Sequence, residues 1–438
     1  MGRHERRIAD ALDTADLWRL MRRRVPPIVA EYFRGGADAE TTLRGNVRAF
    51  QQSMTTAFGA RTFPSLGMGT TCVGARMGVP FYISPVGSLR SLYPMADAVA
   101  ARVAGEFDTV MTLSTLSGTP MEDVAAASTG DCWFQLYLCG GRDTALRGIE
   151  RARNAGFTTL VLTIDTGVAG MRAMHARMKP MEAARSFAGL GPGGRVRLAA
   201  AKLKLAPQML PRLSWLASHR RDGGLFEFVN VIDDAGRPMP YTDIGSQLAA
   251  SAVTWDDLAW IKEAWGDGPL VVKGVHDAED ARRAEAMGAS AVVWSNHGGR
   301  QQDRVPPVLH VVAGEMPLLR DSKLEFMMDG GIRNGTDVLI ALSYGLKAVG
   351  LGRVTAAGIG AGGHAGLTRA FEIVRSELDR AMRLVGVGSI AEIHAAGADL
   401  RRESRLVGDG HLPPVVCEPL LLIHQRCDES SDLRWNII

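Results

Sequence analysis

The sequence predicts an α/β chain folded as a (β/α)8 TIM barrel, with an N-terminal helical segment before the barrel and a long insertion after strand 4. Three observations predict it. Eight short apolar runs recur from about residue 80 onward, most of them separated by Ala- and Arg-rich stretches of helical composition. Alternating strand and helix implies parallel strands joined by right-handed crossovers. The length of 438 residues suits one large barrel. Polar residues also collect at the carboxyl end of the runs, where barrel enzymes build their sites. Capping and turn residues alone have no reason to gather at one end of eight strands.

Residues 1–78 read as short helices and loops packed on the barrel. Helical spacing runs from Asp10 to Arg24, Pro26-Pro27 opens a second helix through Tyr32, and Gly35-Gly36 ends it. The barrel is expected over 79–398. Its strands are Phe81 to Ser84, Thr109 to Ser114, Trp133 to Tyr137, Thr159 to Asp165, Leu270 to Gly274, Ala291 to Ser295, Glu325 to Gly331 and Ala348 to Arg353. Helices are expected at Met95 to Gly105, Thr144 to Ala155 and Asp277 to Met287. A longer one, Leu367 to Leu384, follows the glycine run 358–363. Residues 399–438 read as an irregular tail, whose Pro413-Pro414 and Leu420 to Ile423 suggest docking on a barrel surface or another subunit.

Residues 176–253 interrupt the rhythm and far exceed an ordinary βα loop. From Arg195 to Arg221 there are seven Lys or Arg and no acid, interleaved with Leu, Met209 and Trp215, while Pro207 and Pro211 preclude one long helix. A lid over the barrel mouth is the favoured reading. A basic amphipathic surface on an anionic membrane is the second, and both can hold.

Composition narrows the function. A net charge of +3 gives no case for nucleic acid. The five cysteines, Cys72, Cys132, Cys139, Cys417 and Cys427, form no C-x-x-C pair, so neither zinc nor a disulfide framework is expected and no metal site is assigned. The charged start of the chain, with no apolar run after it, predicts no secretory leader. No apolar run is long enough to span a bilayer. The expected location is cytoplasmic, with peripheral contact at the inner membrane surface through 195–221.

The stretch Val292-Val293-Trp294-Ser295-Asn296-His297-Gly298-Gly299-Arg300-Gln301 organises the chemistry. A buried strand stops at polar residues and paired glycines, then presents an imidazole and a guanidinium three residues apart. That is a proton acceptor tuned near neutral pH beside a planar fork for a carboxylate. Asp165, ending strand four, can orient His297 and stabilise its imidazolium. Lys273 ends strand five and must meet something negative in a barrel mouth: either a neighbouring carboxylate or a flavin gaining charge at N1 and C2=O. Asp329-Gly330-Gly331-Ile332-Arg333 and Gly352-Arg353 end strands seven and eight. Glycine amides, a following helix N-terminus and arginines there suit a phosphate.

These residues resemble the FMN-dependent α-hydroxy-acid dehydrogenase and oxidase family, which includes glycolate oxidase, lactate dehydrogenase and mandelate dehydrogenase. The resemblance spans about residues 14–395. Its most specific motif is Ser295 to Gln301, accompanied in order by Met111-Thr112-Leu113-Ser114, Phe134-Gln135-Leu136-Tyr137, Leu162-Thr163-Ile164-Asp165, Val272-Lys273-Gly274 and Asp329-Gly330-Gly331. The stretch Gly156 to Thr163, with Arg172 downstream, is most similar to the mandelate dehydrogenase branch. The resemblance implies bound FMN and oxidation of an (S)-2-hydroxy acid to the 2-oxo acid. It implies His297 as base with Asp165, and Tyr32, Arg172 and Arg300 on the substrate carboxylate. Tyr137 lies at the substrate hydroxyl, and Lys273 at the flavin N1/C2=O edge. Pro85, Val86 and Gly87 would form a wall, and Ser114, Gln135, Thr163 and Ser295 would surround the ring system. Asp329, Gly330, Gly331, Arg333, Gly352 and Arg353 would take the ribityl chain and phosphate. It further implies a homotetramer.

Val86, Leu116, Met171 and the stretch Tyr93 to Asp97 depart from the usual pattern and put the substrate side chain in question. Leu116 enlarges the pocket. Gly87 leans toward a non-oxygen electron acceptor such as a quinone. Rival readings are an oxidase passing electrons to O2, a tailoring enzyme for a carrier-bound or peptidyl hydroxy acid, and a flavin-binding sensor without turnover. The base His297 argues against the sensor.

Overall fold

Each barrel strand alternates an inward and an outward side chain, and that alternation positions everything above it. The computed structural model describes residues 2–172, 207, 209–224, 227–240, 244–250 and 252–403. The strands are Phe81–Tyr82 (β1), Met111–Ser114 (β2), Cys132–Leu136 (β3), Thr159–Thr163 (β4), Leu270–Val275 (β5), Ala291–Trp294 (β6), Glu325–Asp329 (β7) and Ala348–Gly350 (β8). They run parallel in one eight-stranded sheet in sequence order, with β8 beside β1. A parallel bridge from Ile83 to Met111 closes the ring. The eight predicted strands are the eight observed.

Inside the barrel, Tyr82, Trp133, Val161, Val271, Val293, Met327 and Ala348 form one apolar cluster. Their neighbours along the strands, such as Phe134, Leu160, Leu162, Val272, Trp294, Phe326 and Met328, join the larger cluster between strands and helices. The hairpin Thr70–Cys72 and Ala75–Met77 adds Cys72, Val73, Ala75 and Met77 to the inner cluster. Two residues farther along each strand the period returns to the interior. There the side chains are Ser84, Gln135, Thr163, Lys273, Ser295 and Asp329. An apolar layer therefore carries a polar one at the carboxyl end, as layered barrels do.

The N-terminal helices are Arg3–Ala9 (α1), Thr14–Arg24 (α2), Pro27–Arg34 (α3) and Thr41–Gln52 (α4). Asp13 caps α2 by accepting from the Asp16 amide at 2.8 Å, so the helix starts later than the spacing from Asp10 suggests. Pro27 opens α3 as expected. Helices at Ala96–Glu106, Arg142–Asn154 and Ala278–Ala286 match the expected ones within two residues.

The glycine run near 358 is corrected. It belongs to a helix, Arg353–Val385, that breaks only at Gly362 and Gly363. At Gly363, φ is +60° and a Cβ would lie 2.5 Å from the Tyr93 ring. The other glycines are there for packing: a Cβ on Gly360 would lie 2.5 Å from Met21 of α2. A strand begins at Arg401 and lies beside Ser53–Thr55. The described residues up to Arg402 form one compact unit. Pro413-Pro414, Leu420 to Ile423, Cys417 and Cys427 lie outside the described residues.

The insertion is described in parts, and Arg195, Arg197, Lys202 and Lys204 lie outside them. Pro211 sits in a short 3-10 turn, Leu210–Arg212, that leads into a helix, Leu213–Arg221. This stretch docks on the N-terminal segment and the loop after β1. Trp215 is buried and donates its Nε1 to the Ser91 carbonyl at 3.1 Å, Arg212 donates to the Val25 carbonyl at 2.8 Å, and Arg90 pairs with Asp222 at 2.7 Å.

Asp97, fully buried in the helix Ala96–Glu106, links this fold to pH. Burial pushes its carboxyl up to about 6, against the Ser117 and Thr119 hydroxyls, which favour the charged form. The unfolded chain gives up this proton near pH 4, whereas the folded chain holds it until about pH 6. Stability therefore falls as pH rises from about 4 to about 6. Urea unfolding should show Asp97→Asn gaining on the parent between pH 5 and pH 7 by about 1 kcal/mol, since about one unit of the window falls in that interval at about 1.4 kcal/mol per unit. An unchanged difference between the two pH values would contradict this.

Candidate active site

The polar layer floors a cleft, the concave kind of site in which small ligands bind. Tyr32, Pro85, Val86, Gly87, Ser114, Tyr137, Arg172, Lys273, His297, Arg300, Asp329, Gly330, Gly331, Arg333, Gly352 and Arg353 all line it. Gln135, Thr163 and Ser295 are buried in the floor, and Asp165 lies behind His297.

His297 follows β6 with φ +57°, a left-handed conformation that is costly for a residue with a Cβ. Its amide donates to Ser295 Oγ at 3.1 Å. The ring Nδ1 lies 3.0 Å from Asp165 Oδ1 and 3.3 Å from Oδ2. Burial works to raise the Asp165 carboxyl, but the adjacent His297 and Lys273 outweigh it and hold it down at about 2. A carboxylate can only accept, so Nδ1 carries hydrogen and Nε2 is left as the basic nitrogen. Nε2 faces the cleft, with the Tyr137 hydroxyl at 3.4 Å. Burial, helped by the Asp165 charge, pushes the Tyr137 phenol well up, so it stays a neutral donor.

Two guanidiniums share the Tyr32 ring. Arg300 stands 5.2 Å from its centroid and Arg172 5.4 Å. Burial and then the charge of Arg172 bring Arg300 down to about 10. Burial works to raise the Tyr32 phenol, but Arg172 and Arg300 outweigh it, so the net effect is to lower it. Two half-buried like charges around one phenol make a site that an anion would relieve. The arginines are not equivalent. Arg300 Nη1 is committed to the Tyr32 and Gly35 carbonyls at 2.7 and 2.8 Å, whereas Arg172 Nε is buried without a hydrogen-bond partner among the described residues.

On the floor, Lys273 Nζ donates to Ser295 Oγ at 2.7 Å and lies 3.2 Å from Asp329 Oδ2, while Ser295 Oγ donates to Asp329 Oδ1 at 2.5 Å. The carboxylate partner considered for Lys273 is thus present, and the lysine also faces the cleft. Beside it, Gln135 Nε2 and Thr163 Oγ1 are buried with no partner. Such groups cost about 1–3 kcal/mol each unless something meets them. At the far end Arg353 is lowered well below the usual guanidinium range, first by burial and then by Arg333, Arg300 and Arg34. Arg353 is held by the Gly298, Arg34 and Gly35 carbonyls at 2.9, 3.2 and 3.1 Å. Unmet polar atoms around the floor and crowded positive charge at the end fit FMN, with its polar ring edge and phosphate.

Two supporting features escaped the sequence reading. Asn46 of α4 and Asn296 exchange side-chain bonds at 2.8 and 2.9 Å, and Asn46 Oδ1 also accepts from the Val308 amide at 3.0 Å. This pairing seats the loop that carries His297. Gln301 accepts from the Gly170 amide at 3.1 Å and donates to the Val168 carbonyl at 3.2 Å, holding the loop that leads to Arg172. Gln301 closes the motif that carries His297 and Asn46 lies in a helix far from it in the sequence, yet only the partner across the fold reveals what each does.

Fold and site define a class: a parallel barrel that carries an oxidoreductase site at its carboxyl end. Comparison with known proteins agrees. The family described as FMN-dependent dehydrogenase matches residues 21–399. An L-lactate dehydrogenase of Xanthomonas campestris pv. campestris (strain 8004) is 36% identical over 396 residues, covering 87% of this chain and 95% of that one. Another, of Pectobacterium atrosepticum, is 34% identical over 377 residues, covering 85% and 92%. The crystal structure of the monotopic membrane protein (S)-mandelate dehydrogenase superposes with a TM-score of 0.77 at 29% identity, covering 90% of this chain and all of that one. A mandelate oxidase structure gives 0.69 at 26%, covering 88% and 97%. The chain belongs to the FMN-dependent dehydrogenase family, and its cofactor is FMN.

Proposed function

We propose that the protein oxidises an (S)-2-hydroxy acid to the 2-oxo acid, with His297 as base and Arg172 and Arg300 as carboxylate clamp. The observation that carries this reading is the His297–Asp165 pair, which leaves Nε2 basic and facing the same cleft as the two guanidiniums on Tyr32. The substrate carboxylate binds between Arg172 and Arg300, which orients carbon 2 and its hydroxyl toward His297 Nε2 and Tyr137. Nε2 takes up the proton the substrate loses, and Asp165 steadies the imidazolium. Tyr137, neutral and donating, holds the substrate oxygen. FMN, when bound, would accept the electron pair together with the second hydrogen. Gln135, Thr163, Ser114, Ser295 and Lys273 hold the ring system, with Pro85, Val86 and Gly87 as a wall. Asp329, Gly330, Gly331, Arg333, Gly352 and Arg353 hold the ribityl phosphate. Gly87 supports a non-oxygen acceptor.

The test is product and acceptor together. Incubation with 2-hydroxy acids and a quinone or dye acceptor should yield the 2-oxo acid, trapped as its hydrazone, one per acceptor reduced. Equal product formation with O2 alone, with peroxide released, would make the protein an oxidase. No product with any acceptor would reject the reading.

We also propose peripheral contact with an anionic membrane. The helix Leu213–Arg221 and the turn before it expose Leu210 and Leu213 beside Arg212, Arg220 and Arg221, and among the described residues no helix is long and apolar enough to cross a bilayer. Sedimentation with anionic vesicles that high salt reverses is the expected result. Failure to bind anionic vesicles at low salt would reject it.

A further inference from the structure

Proton and carboxylate roles leave one wall of the cleft without a task. Leu116 and Leu248 line it, and both pack on one apolar cluster. Leu116 lies against Gly87, where an added Cβ would be 3.1 Å from the Leu116 Cβ. Leu248 is buried in one apolar cluster with Tyr137, Cys139, Phe228 and Val231, and Leu116 packs on the same cluster. The wall therefore adjoins the base through Tyr137, whose hydroxyl is 3.4 Å from His297 Nε2.

With the carboxylate on Arg172 and Arg300, and the hydroxyl toward Tyr137 and His297, the side chain on carbon 2 would be left to the apolar part of the lining formed by Leu116 and Leu248. The other charged residues lining the cleft, Lys273, Asp329, Arg333 and Arg353, belong to the floor and the phosphate end. An ionic side chain at this wall would lose its water and find no partner. A methyl group would leave much of the leucine surface unmet.

Leu248 comes from the insertion, in the helix Ile244–Ala250, so its placement depends on how that segment is held. The hairpin Phe228–Ile232 and Pro238–Met239 supplies Phe228 and Val231 to the cluster. Its Asn230 is buried, accepting from the Met121 amide at 3.0 Å and donating to the Thr119 carbonyl at 3.0 Å. Arg151 donates to the Val229 carbonyl at 3.1 Å. A hairpin tied by buried polar bonds to the loop before Met121 is a fixed support rather than a loose cover.

We propose that the insertion supplies part of the substrate pocket through Leu248, and that the preferred substrate is a 2-hydroxy acid with an uncharged, apolar side chain larger than methyl. This rests on the hydroxy-acid reading above. The test is anaerobic flavin reduction in the holoenzyme by lactate, 2-hydroxyhexanoate, (S)-mandelate and malate. The parent, Leu248→Trp and the volume-conserving Leu248→Met would be compared. Dissociation constants for pyruvate and 2-oxohexanoate, read from the flavin spectrum, add a measure independent of turnover. The parent should favour 2-hydroxyhexanoate or mandelate over lactate by about tenfold or more in reduction efficiency, since one methylene in an apolar pocket is worth roughly 10-fold or more. Malate should be the poorest of the four. Leu248→Trp should lower the hexanoate-to-lactate ratio, and the matching ratio of 2-oxo acid affinities, at least about tenfold. Leu248→Met should stay near the parent. A parent that prefers lactate or malate overturns the proposal, and so does a Leu248→Trp effect equal for all acids. Those failures leave the hydroxy-acid reading standing, because the flavin is still reduced. Reduction by none of the acids removes both.

Discussion

Replacing His297 with Asn is expected to slow substrate reduction of the bound flavin by about 10²- to 10⁴-fold, the usual contribution of a positioned base, with FMN retained. The reason lies in which nitrogen is basic. Asp165 takes the Nδ1 hydrogen at 3.0 Å, so the lone pair at Nε2 is the one that meets the substrate. Asparagine has no such lone pair. Because FMN is held by other residues, the flavin spectrum should be unchanged while the rate collapses. Asp165→Asn should also be slow, because the amide can present a donor to Nδ1 and favour the tautomer with hydrogen on Nε2. With Asp165 held at about 2, acid inactivation above roughly pH 4 cannot come from its protonation. A His297→Asn protein reduced at the parental rate would remove the base from the account.

Replacing Arg172 with Met is expected to lower the efficiency of reduction at least about 30-fold. Losing one partner of a buried charge pair costs about 2–5 kcal/mol, and about 1.4 kcal/mol is tenfold. Arg172 is the cleaner of the two arginines to test. Its Nε has no hydrogen-bond partner among the described residues, whereas Arg300 also ties the end of α3 through two carbonyls. Arg300 variants will therefore mix lost binding with a disturbed Tyr32. The Arg172→Met defect should fall mostly on the apparent dissociation constant, and Arg172→Lys should restore only part of it, because a point charge does not reproduce the fork. An unchanged dissociation constant would remove Arg172 from the clamp.

The barrel was legible because strand period and polar strand ends agree at each of the eight runs. Val271 faces in with the apolar layer and Lys273, two residues on, faces in with the polar one. Long-range contacts were not legible. Asn46 and Asn296 are 250 residues apart, and nothing local marks either as the other's partner. The glycines at 358 and 360 read as a loop, because glycine is a poor helix former. Tertiary contact reverses that, since a Cβ on Gly358 would come within 2.7 Å of Leu367 Cα and one on Gly360 within 2.5 Å of Met21. Nor does anything local in the insertion mark Trp215 as the donor to the Ser91 carbonyl. Likewise a guanidinium at the end of β8 signals an anion, but not that backbone carbonyls will hold Arg353 in place.

The most direct measurement is anaerobic stopped-flow mixing of the purified holoenzyme with a panel of (S)-2-hydroxy acids, followed at the flavin absorbance, with His297→Asn alongside. The account predicts one equivalent of FMN per chain, rapid bleaching by at least one acid, and loss of that bleaching in the variant with its flavin still bound. A flavin that no 2-hydroxy acid bleaches, or one bleached equally fast without His297, would contradict it.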